Sequence, residues 1–232
     1  SIGLDVGNYS KRLLQGFVSG PLTDKLRGRL ALSDEDRDGF IENISPLGGD
    51  DFKNSDYTSL RGSLEYDLAD NVLVTVSGYY FDDSGNDVVT VFRDEYPTSA
   101  DPGLLNYWVL NNAEPNPSVS DPRKGRFNIG DDASEIAKGG SVDFEWDLGA
   151  TRLRSLSSYN KSEHFFMVDN DKSDAVTVSH NLDSNRLHET FSQEFQLLSS
   201  ADSELSWILG TFYYKENSDV SSLFVSDNLN VV

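Results

Sequence analysis

The sequence predicts an all-β protein, an antiparallel meander of about nine strands forming part of a transmembrane β-barrel, with short periplasmic turns and long extracellular loops. Three observations predict it. Apolar residues recur with a period of two, short and long connections alternate along the chain, and the charge gathers in the long connections. Only alternate residues of a barrel strand meet lipid, so a mean hydropathy of -0.46 is compatible with a membrane wall. No apolar run approaches the roughly 18 residues of a transmembrane helix.

Taken in chain order, "KLRGRLALS" (25–33) sets Leu26, Leu30 and Leu32 against Lys25, Arg27 and Arg29. In "TSLRGSLEYDL" (58–68), Leu60, Leu64, Tyr66 and Leu68 oppose Ser59, Arg61, Ser63, Glu65 and Asp67. "SVDFEWDL" (141–148) sets Val142, Phe144, Trp146 and Leu148 against Ser141, Asp143, Glu145 and Asp147. Each is a strand with one apolar and one charged face. Turn signals at "GPLTDK" (20–25), "DLADN" (67–71), "DLGAT" (147–151) and "SSADSEL" (199–205) join such runs as hairpins. Residues 57–68 and 72–81 are therefore expected to pair, with Leu60, Leu64, Val74 and Val76 outward and Arg61, Glu65, Thr75 and Ser77 toward the lumen. The first strand begins near Ile2 and the last ends near Tyr214.

Between hairpins lie polar segments, roughly 33–56, 82–137, 160–189 and 216–232, which read as loops too long for a compact soluble domain. They hold 28 of the 39 acidic residues and 9 of the 19 basic ones, a net of -19 out of -20. Tyr66, Trp146 and Trp207 lie beside the short turns, and Tyr80, Tyr159 and Tyr213 near the loop ends, as two interfacial girdles would. A soluble β-sandwich also alternates apolar with polar, and stays open as an alternative at this point.

"SDEDRDGFIEN" (33–43) spaces Asp34, Asp36 and Asp38 like a calcium loop, but the twelfth position is Ser45 where the closing glutamate belongs. It reads instead as the point where a strand becomes a loop, with Gly39 in a turn of positive φ. Its carboxylates are expected to hold Ca²⁺ or Mg²⁺ only loosely.

Catalysis has little support. His164, His180 and His188 show no metal-ligand spacing, and no nucleophile elbow, P-loop or dinucleotide fingerprint occurs. "KGG" (138–140) reads as a strand start. The acidity argues against nucleic acid, whose binders carry basic stripes. No enzyme activity and no cofactor is expected. The second long loop carries the candidate ligand-binding residues Arg93, Tyr96, Tyr107, Trp108 and Arg123, with Phe92, Lys124 and Arg126 nearby. Aromatics and cations on a loop held by a rigid scaffold suit recognition. The stretch "LLNYWVL" (104–110) reads equally as a local strand or turn that pins the loop to itself.

Several stretches carry a family resemblance. "GNYSKRLLQGFVSGPLTDKLRGRLALSDEDRDGF" (7–40) resembles the start of the barrel in TonB-dependent outer-membrane receptors. "TFSQEFQLLS" (190–199) and "WILGTFYYKE" (207–216) resemble a later hairpin of that family, with Gln196 where relatives often carry a basic residue. The resemblance covers almost the whole chain. Nothing in it resembles the plug domain or the energy-coupling box, and the chain ends in "NLNVV" without an aromatic terminus. It implies that residues 1–232 are the N-terminal strands of a barrel of roughly 22 strands, as an open, curved sheet. The implied function is uptake of a scarce small nutrient such as a ferric siderophore or cobalamin, at the bacterial outer membrane. The implied partners are outer-membrane lipid and lipopolysaccharide, the nutrient ligand, and the TonB complex acting through the plug. A passive outer-membrane channel or an adhesin barrel is the alternative. The loop charge argues mildly against a strongly anionic ligand.

Overall fold

In the computed structural model, the structure describes residues 1–47, 50–86, 121–127, 132–169, 180–200 and 203–226. Eleven strands follow in chain order: β1 (Ile2–Val6), β2 (Arg12–Pro21), β3 (Leu26–Arg37), β4 (Glu42–Asn43), β5 (Ser55–Ala69), β6 (Val72–Asp83), β7 (Lys124–Gly125), β8 (Asp132–Asp147), β9 (Thr151–Asp169), β10 (His180–Ser199) and β11 (Ile208–Ser226). Nine of them form one antiparallel sheet in sequence order, omitting β4 and β7, which pair in parallel with each other. β1 and β11 are its two edges, so the sheet is open: Leu4 pairs with Leu14, and Leu209 with Leu197.

The sheet's register follows the period of two. Leu64 lies opposite Val76 and Tyr66 opposite Val74, while Glu65 faces Thr75 and Ser63 faces Ser77. Opposed residues share a face, so Leu60, Leu64, Val74 and Val76 lie on one side and Arg61, Glu65, Thr75 and Ser77 on the other. The ladder departs from regularity only between Asp67 and Ala69, beside the turn. Carried through the adjoining strands, the apolar face also collects Leu30, Leu32, Val142, Phe144, Trp146 and Phe195. All six girdle candidates are on it or at its edge.

The strands run well past the loops expected from sequence. β3 continues to Arg37, β8 begins at Asp132, β9 reaches Asp169, β10 begins at His180 and β11 ends at Ser226 rather than near Tyr214. Tyr159 and Tyr213 therefore sit within their strands, not at loop ends. From Tyr159 to Asp169, β9 adds about 33 Å of extended chain beyond the girdle. Asp34 and Asp36 belong to β3, where alternate side chains stand about 7 Å apart. Asp34 instead accepts a hydrogen bond from Thr58 Oγ1 at 2.7 Å. Among the described residues, no group of three acidic or histidine side chains is placed to share a metal ion.

Two glycine readings change. Among the described residues the glycine with positive φ is Gly149, at 81°, in the β8–β9 turn. Gly39 is required for another reason: a Cβ there would lie 2.6 Å from the backbone of Asp51 and Phe52. "KGG" is mid-strand in β8, where a Cβ on Gly139 would crowd the Asn160 side chain, the Tyr159 carbonyl and the Tyr79 ring.

Candidate functional site

At the end of the sheet opposite the β2–β3, β5–β6, β8–β9 and β10–β11 connections, the connections 7–11, 38–54 and the two feet of the second loop, 84–86 and 121–127, gather. The β1–β2 connection is a tight turn in which Tyr9 and Ser10 have φ of 59° and 56°, the pair of left-handed residues that a type I′ turn needs. Its Tyr9 carbonyl accepts the Asp38 N–H at 2.8 Å, tying it to the first long loop.

That loop folds back on itself. Phe40 and Ile41 donate to the Phe52 carbonyl, and Phe52 N–H returns to Ile41. Its outer limb, β4, takes the end of the second loop as a partner: Glu42 N–H donates to Arg123 O at 2.8 Å, and Ile44 N–H to Gly125 O at 2.9 Å. Beneath this small sheet, Ile41, Phe52 and Phe127 are buried, with the two rings edge to face at 4.7 Å. Among the described residues they are the buried hydrophobic core of the chain. Asn43 joins the limbs: its Oδ1 accepts from the N–H groups of Ser45 and Phe127, and its Nδ2 donates to Phe127 O. The other foot is held too, with Lys53 N–H donating to Asn86 O at 2.8 Å and Asn86 N–H to Asn54 Oδ1. The second loop thus leaves from and returns to a fixed cap.

Of the five candidate ligand residues, Arg123 is on this cap. Its guanidinium is exposed, 3.8 Å from Asp121, and its backbone anchors β4. Arg93, Tyr96, Tyr107 and Trp108 lie outside the described residues, as does "LLNYWVL". What sequence reading missed was the anchor: Asn43, Phe52 and Phe127 carry no period of two. The signal available was three apolar residues standing in polar loops, Ile41, Phe52 and Phe127.

The polar face of the sheet carries charge in paired form. Arg27 donates to Glu65 Oε1 at 2.7 Å and to both oxygens of Asp67 at 2.7 and 3.0 Å. Arg154 forks onto Asp143, and Glu145 lies 3.8 Å away. Neutral partners complete the rows: Ser77 with Ser141, Ser158 with Ser192, and Tyr79 O–H donating to Asn160 at 3.1 Å. Such a wet, self-paired surface suits a water-filled or protein-filled lumen, while the opposite face suits lipid.

On the apolar face beyond Tyr159 the character changes. Lys161 Nζ lies 2.8 Å from Glu163 and 4.0 Å from Glu189. Their hydrogen bond raises the lysine's pKa above its ordinary value and lowers that of Glu163.

These features define a class by fold: a stretch of antiparallel β-barrel wall, with one polar face, one apolar face and a structured cap of loops at one end. Solved structures agree on the fold. The chain is similar to the ferric yersiniabactin uptake receptor FyuA from Yersinia pestis, with a TM-score of 0.67 at 12% identity over 95% of this chain and 31% of the receptor. It is similar to the siderophore receptor PiuA from Acinetobacter baumannii, with a TM-score of 0.64 at 14% identity over 94% of this chain and 30% of that one. The ferric-catecholate import receptor Fiu from E. coli K12 gives 0.63 at 11% identity, over 94% and 31%. The chain spans about a third of the length of each. No protein-family model matches the sequence, and no curated protein matches it.

Proposed function

We propose that this chain is barrel wall and extracellular cap of a TonB-dependent outer-membrane receptor that imports a small, scarce nutrient, with a ferric siderophore as the substrate class. The observation that carries the reading is the fold match over 95% of the chain to a protein named as a ferric yersiniabactin uptake receptor, and over 94% to one named as a siderophore receptor. Ligand is captured at the cap by Arg123 and by Arg93, Tyr96, Tyr107 and Trp108 of the loop rooted in it. Energy arrives from the TonB complex through a plug domain filling the lumen, whose polar wall is made by Arg27, Arg154 and their partners. No chemical step is assigned to these residues.

The test is uptake of iron-55 presented as hydroxamate, catecholate and mixed-chelate siderophores, in cells whose only receptor for them is the complete protein. Uptake of at least one class, abolished when the inner-membrane energy complex is deleted, is the expected result. Equal uptake with and without that complex would establish a passive channel instead. Arg123→Ala is expected to weaken binding of the transported siderophore about tenfold, while receptor level in the outer membrane is unchanged.

A further inference from the structure

On the polar face of β2, β3, β5 and β6, among the described residues, two arginines stand without a carboxylate partner: Arg29 and Arg61. In one ladder row Phe17, Ala31, Arg61 and Tyr79 lie side by side on successive strands. In the row below, Arg29 lies between Ser19 and Ser63, and its guanidinium turns onto the Phe17 ring, 4.4 Å from the centroid. Ala31 is thus the floor of a niche, with Phe17 on one side, Arg61 on the other and Arg29 beneath. Leu30 and Leu60 alternate with these residues on the opposite face, which sets the niche at the depth of the apolar band.

The carboxylates nearest to them on this face already have cations of their own. Glu65, diagonal to Arg29, and Asp67 are held by Arg27. Asp143 and Glu145 of β8 belong to Arg154, and Glu35 to Lys11 at 3.5 Å. Asp5, Asp83 and Glu135 share the row of Glu35, two rows above Arg61, about 14 Å along the strands. Both guanidinium forks are therefore open, and a carboxylate matches such a fork with two parallel hydrogen bonds. A small floor between two forks and the exposed rings of Phe17 and Tyr79 suits a flat organic anion better than a hydrated inorganic one.

We infer that this niche is a station on the route of the transported solute along the wall, and that it takes an iron chelate by a free carboxylate on Arg29 and Arg61. The inference rests on the proposed uptake function and narrows its substrate class. The station lies far below the cap, apart from Arg123, so it acts after capture rather than in it. A chelate of low net charge with one carboxylate arm passes the acidic long connections with little repulsion and still meets a fork inside.

The test uses the complete protein as the sole receptor in cells, with iron-55 on a siderophore that bears a free carboxylate and on the same siderophore with that carboxylate amidated. Binding is read on chilled, de-energised cells and uptake on energised ones. Arg29→Gln/Arg61→Gln is expected to slow uptake of the carboxylate chelate about tenfold while its binding stays within about twofold of the parent's. Arg29→Lys/Arg61→Lys, which keeps the charge, is expected to retain most of the rate. The amidated chelate is expected to enter the parent as slowly as the carboxylate chelate enters the glutamine variant. Should the glutamine variant fail to reach the membrane, the two chelates on the parent still decide. Equal uptake by parent and glutamine variant, or of the two chelates by the parent, would overturn the inference. An equal loss for both chelates, with faster proteolysis of the unliganded variant, would also overturn it, by assigning the arginines to a contact with a second domain. A parent that imports only chelates lacking a carboxylate would sink the inference and leave the uptake reading standing. No uptake of any iron chelate would sink the uptake reading itself.

Discussion

In the cap, Ile41, Phe52 and Phe127 are 6%, 0% and 0% exposed, whereas Leu64 and Phe195 in the nine-strand sheet each keep 46% of their surface open. The two regions use the same kinds of side chain for opposite environments. The cap stands in water and excludes it by packing rings on one another. Among the described residues the wall is one sheet thick, and its apolar face is left exposed as the lipid-facing side of a membrane barrel is. Stability in the cap therefore comes from contacts within the chain, and in the wall from the ladder and the solvent on each side.

The comparison can be broken first at the cap. Phe127→Ala removes a ring with no exposed surface, and such truncations cost about 3–5 kcal/mol. Hydrogen exchange should then accelerate at the Glu42 and Ile44 amides, which bond to Arg123 and Gly125, while the ladder amides of Leu64 and Val76 keep their protection. Loss of protection in both regions together would show that cap and wall fold as one unit.

Next comes the wall. Leu64→Arg, on the apolar face near mid-strand, should cost about 2–4 kcal/mol in urea titrations of the complete protein folded into bilayers, and leave cap exchange unchanged. A neutral effect there would mean that this face does not meet hydrocarbon.

Asn43→Ala should be smaller. It removes the acceptor for two N–H groups and the donor to Phe127 O, and unpaired groups of that kind cost about 1–3 kcal/mol. Protease cleavage within 38–54 should rise, because the second loop loses an anchor. Resistance equal to that of the parent would show that the aromatic contacts alone hold the cap.

The smallest effect is expected on the lumen face. Arg27→Gln breaks a fork onto Glu65 and Asp67, but all three are well exposed, where screened pairs contribute little. The unfolding midpoint should not move measurably at physiological salt. A large loss would mean that the network is covered, as a plug in the lumen would cover it.

Wherever the two faces of a strand meet different solvents, alternation is imposed on the residues and can be read directly. Leu60, Leu64, Val142 and Trp146 disclose their strands, their common face and the tight turns between them, and from these the open antiparallel order follows. Beyond Tyr159 the outward face turns polar and charged, with Lys161, Glu163 and Glu189 on it. The stretches 160–169, 180–189 and 216–226 then carry no alternation, although the ladder between β9, β10 and β11 continues through them. Backbone pairing with a neighbour already in place decides that extension, and no residue pattern is needed for it. The cap is decided in the same way. Ile41, Phe52 and Phe127 are far apart in the chain, and only the tertiary structure, by bringing the end of one loop beside another, makes them a core.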